Sequence, residues 1–328
     1  MTGLYDSFQR PINYLRISVT DRCNLRCIYC MPAAGIRHVA HQDILTYEEI
    51  YIIAQTAAEL GIDKIRLTGG EPLVRLGLPK LVQMLKQIDS IDDISLTTNG
   101  ILLSRYAAEL KQAGLKRVNI SLDTLKSDKF RFITRRSYDL SDVLRGINVA
   151  KSVGLDPVKI NVVLMASIND DEVMDFARKT ISEEWHVRFI EFMPTAGVSD
   201  MALHFVSVED IRKRLEQLGK LTPCLPRAGN GPAKYFRFPN AKGSVGFITP
   251  VSEHFCFRCN RLRLTADGRL RPCLLSDNEV DLKQPLRSGA SLAGLKKLIE
   301  AAVSSKPFHH HLATGHVPEG RPMTQVGG

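Results

Sequence analysis

No stretch of the 328-residue chain approaches the ~20 consecutive apolar residues that a membrane-spanning helix requires. Met1 to Pro11 also lack the apolar centre of a secretory signal, so no membrane association is expected and the cytoplasm is the expected compartment. Aromatic residues are sparse, with one Trp, 8 Tyr and 13 Phe, and Lys and Arg do not gather into a basic run. A surface that stacks bases on aromatic rings along a basic groove therefore has little to build on, and no nucleic-acid partner is expected. The net charge of +9 still calls for an anionic partner. Cysteine is scarce as well: seven residues, of which six form two tight triplets and Cys224 stands alone. An odd set of thiols in short loops is no disulfide framework, which favours a reducing compartment.

The first triplet lies in Asp21-Arg22-Cys23-Asn24-Leu25-Arg26-Cys27-Ile28-Tyr29-Cys30, a C-x3-C-x2-C run. Three neighbouring thiolates suit a soft metal centre, either zinc or an iron–sulfur cluster. Zinc would take a fourth ligand, and the available His38 and His41 lie in an unpatterned loop. A cubane cluster held by three cysteines leaves one iron open to a substrate. The run resembles the signature of the radical S-adenosylmethionine enzymes, with Tyr29 in the aromatic slot before the last cysteine. That resemblance implies that the open iron chelates the amino and carboxylate groups of S-adenosylmethionine. An electron from the cluster then splits the sulfonium to give a 5′-deoxyadenosyl radical.

From Asn13 to about Met193, short strand patterns alternate with amphipathic helical ones, the order of a parallel α/β sheet or barrel. The predicted strands are Tyr14–Thr20, Lys64–Thr68, Ile94–Thr98, Arg117–Leu122, Val158–Val163 and His186–Phe192. Between the first two, Thr46-Tyr-Glu-Glu49 reads as a capping box opening a helix. Six units fall short of the eight of a closed barrel, so the expected fold is α/β, a partial (β/α)6 open TIM-type barrel with a smaller C-terminal region. The division is placed at 1–220 and 221–328, where the proline-rich stretch Leu221–Pro239 breaks the pattern.

Nearly every strand alternates apolar and polar residues, unlike a barrel filled with Val, Ile and Leu. If helices cover the outside, the polar set lines the lumen and brings Arg16, Lys64, Arg66, Lys159 and Arg188 together. That many buried cations ask for a polyanionic ligand. The strands also end unusually, in Thr68-Gly69-Gly70-Glu71-Pro72, Thr97-Thr98-Asn99-Gly100, Ser121-Leu122-Asp123 and Glu191-Phe192-Met193-Pro194, which argues for one shared site.

The second triplet is Cys256-Phe-Arg-Cys259 with Cys273 beyond a hairpin turning at Asp267-Gly268. A two-residue turn would place Cys273 opposite Leu262, on the leucine face, and a single bulge would move it to the arginine face. Taken alone the triplet suits zinc, with His254 as fourth ligand, as well as it suits iron–sulfur.

Both triplets, the strand-end motifs and the Gly327-Gly328 terminus resemble the GTP 3′,8-cyclase family of molybdenum cofactor biosynthesis over essentially the whole chain. The resemblance implies two [4Fe–4S] clusters, the first on Cys23, Cys27 and Cys30 and the second on Cys256, Cys259 and Cys273. It implies that Tyr29, Gly70, Ser121 and Met193 contact S-adenosyl-L-methionine, and that Arg16, Arg66, Thr97, Lys159, Arg261, Leu262 and Arg263 contact GTP. Lys64 and Arg188 are additions from strand alternation. The implied reaction takes hydrogen from ribose C3′ and joins C3′ to guanine C8, giving (8S)-3′,8-cyclo-7,8-dihydroguanosine 5′-triphosphate. A reductant protein and the next pathway enzyme, cyclic pyranopterin monophosphate synthase, are the implied partners. The tail from Arg321 reads as disordered by composition, although in the resembled family its two glycines enter the active site. The rivals are a radical enzyme acting on a peptide or RNA and a zinc-dependent nucleic-acid-binding protein.

Overall fold

A computed structural model describes residues 3–193, 205–310, 312, 318 and 320–327. Residues 198–205, whose composition predicts a loop, lie almost wholly outside them, as do Pro194, His311 and Gly328. All six predicted strands form: β1 (Tyr14–Ser18), β2 (Lys64–Thr68), β3 (Asp93–Thr98), β4 (Arg117–Ser121), β5 (Val158–Leu164) and β6 (His186–Glu191). Each runs parallel to the next, and they lie in sequence order at the centre of an open twelve-stranded sheet.

The alternation decides which face is which. Leu15, Ile17, Ile65, Leu67, Leu96, Val118, Ile160, Val187 and Phe189 all join one apolar core beneath the covering helices. Helix α1 (Tyr47–Glu59) begins at the predicted box, with Thr46 Oγ1 accepting from the Glu49 amide at 3.1 Å and the Glu49 carboxylate accepting from the Thr46 amide at 2.8 Å. It turns Ile50, Ile53 and Ala57 inward, and α2 (Leu78–Lys86) does the same with Leu78, Leu81 and Leu85. The opposite strand face buries Arg66, Asn119, Lys159 and Arg188 in the concave side of the sheet.

Residues beyond 220 complete the sheet on both flanks. Strands β7 (Thr222–Pro223) and β8 (Lys234–Arg237) lead antiparallel to β9 (Ser244–Ile248), which pairs parallel with β6. On the other edge β10 (Arg261–Leu264) pairs parallel with β1 and is followed by β11 (Arg269–Arg271) and β12 (Val280–Asp281). Strand β9 was not legible in the sequence because Gly246 interrupts its centre. The glycine is there for space: a Cβ at that position would stand 3.0 Å from Arg188 Cγ and 3.2 Å from the Tyr235 ring.

The hairpin takes the bulged form. Arg263 pairs with Arg271 and Leu264 with Leu270, and the Thr265 amide donates to the Arg269 carbonyl at 2.9 Å, which leaves a three-residue loop closed by the Gly268 amide on the Thr265 carbonyl at 3.0 Å. Gly268 supplies the left-handed residue of that loop, with φ of +83°. Continuing the register puts Cys273 opposite Arg261, not Leu262, so the third thiol shares the arginine face.

The tail also departs from the reading of its composition. After α3 (Lys283–Arg287) and α4 (Leu292–Ser304), Arg321 forms ion pairs with Asp267 and Glu279 at 2.8 and 2.6 Å. A short helix, α5 (Met323–Val326), then carries Gly327 inward. A composition argument misses this because the order comes from two carboxylates that the hairpin and its following loop bring to one place.

Candidate active site

Ligands in such sheets collect at the carboxyl ends of the parallel strands. There the structure holds a cavity of about 300 Å³ lined by all six triplet cysteines. Tyr29, Gly70, Ser121 and Met193 line it as well, together with Arg16, Thr97, Arg261 and Arg263.

The first triplet follows β1 in a loop that the Gly-Gly-Glu turn fastens down. The Gly70 amide donates to the Thr20 carbonyl at 2.7 Å and the Glu71 amide to the Arg22 carbonyl at 2.8 Å. The buried Glu71 carboxylate accepts from Thr98 Oγ1, the Asn99 amide and the Leu73 amide at 2.7, 2.7 and 3.0 Å, and burial pushes its carboxyl up to about 7. Asn99 then reaches Asn24 Oδ1 at 2.8 Å beside Cys23. Tyr29 donates its hydroxyl proton to Asp123 at 2.7 Å, and burial raises the Asp123 carboxyl to about 6.

Burial and neighbouring negative groups push Cys23 up to about 11 and Cys30 up to about 12, with Cys27 also well above its ordinary value. Such thiols become thiolates only against a strong positive charge, which an iron core provides. No three His, Cys, Asp or Glu side chains among the described residues are disposed around one metal ion. Zinc needs that convergence, whereas a cubane takes each thiolate to a separate iron, so the donor set fits a cluster better. His254, the alternative zinc ligand, instead packs its ring 6.1 Å from that of His310.

At the second triplet, Cys256 and Cys259 precede β10 and Cys273 follows β11. Burial would raise Cys259, but Arg261 and Lys306 outweigh it and bring the thiol down to about 6. Arg261 Nη2 stands 3.6 Å from that sulfur. Strand register then sets Arg263, Arg16 and Arg66 in one row across β10, β1 and β2. Burial, then the neighbouring guanidinium of Arg263, holds Arg16 well below the usual arginine range, and burial with Arg261 brings Arg263 down to about 9. Arg263 donates to the Gly327 carbonyl at 2.7 Å, so the tail reaches this row.

Arg66 and Lys159 are buried on the inward strand face and are not among the residues lining this cavity. Arg66 donates to the Tyr14 hydroxyl and to Thr97 Oγ1 at 3.4 Å. Burial would raise the Tyr14 phenol, but Arg66, Arg16 and Arg117 bring it down to about 8. Lys159 donates to the Ala228 carbonyl at 2.6 Å, and burial, followed by Arg188, Arg117 and Arg66, lowers its ammonium to about 6. Arg188 Nε and Asn161 Oδ1 are buried without a hydrogen-bond partner among the described residues. Two expected residues stand elsewhere. Leu262 buries its side chain in the apolar core, leaving only backbone for the site, and Lys64 pairs with Asp63 at 2.8 Å. Strand alternation could have singled out Asn161, which shares the inward face of β5 with Lys159, and Tyr14, which shares that of β1 with Arg16; His310 carried no such signal.

Comparison with known proteins places this geometry in a family. Residues 17–180 match the radical SAM superfamily and residues 185–312 match the molybdenum cofactor synthesis C-terminal family. The chain is 54% identical over 325 residues to a GTP 3′,8-cyclase from Moorella thermoacetica, covering 99% of this chain and 100% of that protein. It is 52% identical over 327 residues to a GTP 3′,8-cyclase from Pelotomaculum thermopropionicum, covering 99% and 100% respectively. Among solved structures, Streptococcus suis SuiB bound to S-adenosylmethionine shares the fold with a TM-score of 0.61 at 13% identity, covering 87% of this chain and 68% of that one. With both cysteine triplets in place and the match running its whole length, the chain belongs to the GTP 3′,8-cyclase family.

Proposed function

We propose that the protein converts GTP to (8S)-3′,8-cyclo-7,8-dihydroguanosine 5′-triphosphate, an early step of molybdenum cofactor biosynthesis, using S-adenosyl-L-methionine and two [4Fe–4S] clusters. The observation that carries this reading is that both cysteine triplets open onto one cavity with three arginines. In it Cys23, Cys27 and Cys30 hold the first cluster, and Cys256, Cys259 and Cys273 the second. Bound there, the first cluster with S-adenosylmethionine supplies the one-electron chemistry that removes hydrogen from ribose C3′ and lets C3′ close on guanine C8.

The chain's own residues do the holding. Gly70, Ser121, Met193 and Tyr29 surround S-adenosylmethionine, with Asp123 fixing the Tyr29 hydroxyl. Arg16, Arg66, Lys159 and Arg263 form the receptor for the triphosphate, arginine offering its planar fork to phosphate oxygens. Thr97, Arg261 and the Leu262 backbone complete the GTP contacts, and Arg188 joins them through its Nε, which has no hydrogen-bond partner among the described residues. Ile190, Phe192, Ile248 and Pro250 form apolar wall that keeps water from the reacting carbon. No helix among the described residues is long and apolar enough to cross a membrane. We place the enzyme in the cytoplasm, reduced by an electron-donor protein and delivering its product to the next pathway enzyme.

Anaerobic turnover of reconstituted, reduced protein tests the reading. Formation of 5′-deoxyadenosine together with a cyclised guanosine triphosphate, both dependent on GTP, is the expected result. Deoxyadenosine that forms irrespective of GTP, with no cyclised nucleotide, would refute it.

A further inference from the structure

Lys306, two residues beyond α4, is only 3% exposed. Its Nζ donates to the Arg261 carbonyl at 2.8 Å and to the Pro272 carbonyl. No carboxylate stands within ion-pair range of it among the described residues. The charges acting on it are the thiols of Cys259 and Cys273, then Arg261 and Arg10. Arg10 differs in having its own counter-ion, Asp6. An ammonium buried against carbonyls alone is costly, so its counter-charge has to come from the ligand of the site.

Its contacts are placed where they bear on that ligand. Arg261 lies two residues after Cys259, and Pro272 immediately precedes Cys273. Arg10 donates to the Cys256 carbonyl at 2.7 Å and to the carbonyls of Phe308 and Pro307 at 2.9 and 2.8 Å. All three cysteine-bearing segments are thereby fastened to residues 306–308. The first triplet is surrounded oppositely: Glu71 and Asp123 are its charged neighbours, with Arg26 the cation acting on Cys23.

We propose that Lys306 is a positioning residue that supplies the counter-charge of the second iron–sulfur site and raises its reduction potential above that of the first. This rests on the reading that Cys256, Cys259 and Cys273 hold a [4Fe–4S] cluster. A thiolate-bound cluster is net negative and becomes more so on reduction, so a nearby buried cation stabilises the reduced form more than the oxidised one. Carboxylates beside the first triplet act the other way. An electron delivered to the protein therefore rests on the second cluster at equilibrium, beside the bound nucleotide.

Anaerobic redox titration of the two-cluster protein, followed by electron paramagnetic resonance, tests this. The signals are assigned with a Cys273→Ser protein lacking the second cluster. Lys306→Met is expected to lower the reduced-to-oxidised ratio of the second cluster about tenfold at a fixed potential, about 59 mV for a one-electron couple. The first cluster should not move, and Lys306→Arg should keep the native midpoint. A Lys306→Met protein that retains the second cluster at an unchanged midpoint overturns the proposal. Should Lys306→Met lose that cluster, its retention at native midpoint in Lys306→Arg upholds the charge requirement, and its loss there too overturns it. Native protein whose iron and sulfide account for one cluster only would refute the reading of the second triplet itself, and the proposal with it.

Discussion

Lys159 gives the sharpest test of the triphosphate receptor, because the protein holds it in a state the ligand must reverse. Burial together with Arg188, Arg117 and Arg66 brings its ammonium down to about 6, so near neutral pH the unliganded protein carries it largely uncharged. A triphosphate placed against it favours the ammonium, and binding takes up a proton. Each proton taken up makes affinity fall by up to about tenfold per pH unit as pH rises above about 6, about 1.4 kcal/mol per unit. Calorimetry of GTP binding in buffers of different ionisation enthalpy reads the uptake directly. Lys159→Met should remove about one proton from it and flatten the pH dependence. Stability follows the opposite sign. The lysine binds fewer protons folded than unfolded between about 6 and its ordinary value near 10.5, so its contribution to stability rises with pH across that window. Lys159→Met should leave the melting temperature of ligand-free protein unchanged or higher near neutral pH, since folding no longer has to strip a lysine of its proton and its hydration. Proton uptake identical in native and variant protein would refute the placement of Lys159 against the triphosphate.

Other outcomes follow from single contacts. Arg263→Ala removes both a cavity cation and the 2.7 Å bond to the Gly327 carbonyl, a charged hydrogen bond of about 1.5–3 kcal/mol. GTP affinity should fall at least tenfold while deoxyadenosine formation from S-adenosylmethionine persists, measured by equilibrium binding and product assay; unchanged affinity would remove the residue from the site. A Cβ on Gly70 would lie 2.4 Å from the Arg22 carbonyl oxygen, so Gly70→Ala should displace the first triplet and lower iron and sulfide by one cluster without unfolding the protein. Full iron content in that variant would show that the loop yields. Gly246→Ala crowds Arg188 and Tyr235, and a thermal melt should report a loss of about 1–3 kcal/mol.

Features set by local spacing can be read from the chain before it folds. The six central strands and their inward cations are legible because a strand repeats every two residues and each alternation is complete within one element. The Thr46 box is legible because both of its hydrogen bonds close within four residues. The cysteine triplets announce soft-metal chemistry for the same reason. The remaining features depend on contacts between residues far apart in the chain. Strand β9 exists because β6 offers an edge and Arg188 needs the space above Gly246. Cys273 reaches the arginine face because one left-handed glycine shifts the hairpin register. The tail is ordered because Asp267 and Glu279 meet Arg321 across more than forty residues. Lys306 is a site residue because folding brings a segment near the end of the chain against the carbonyls beside two cysteines, and no spacing rule records an attraction between groups that meet only once β10 and β11 have joined the sheet.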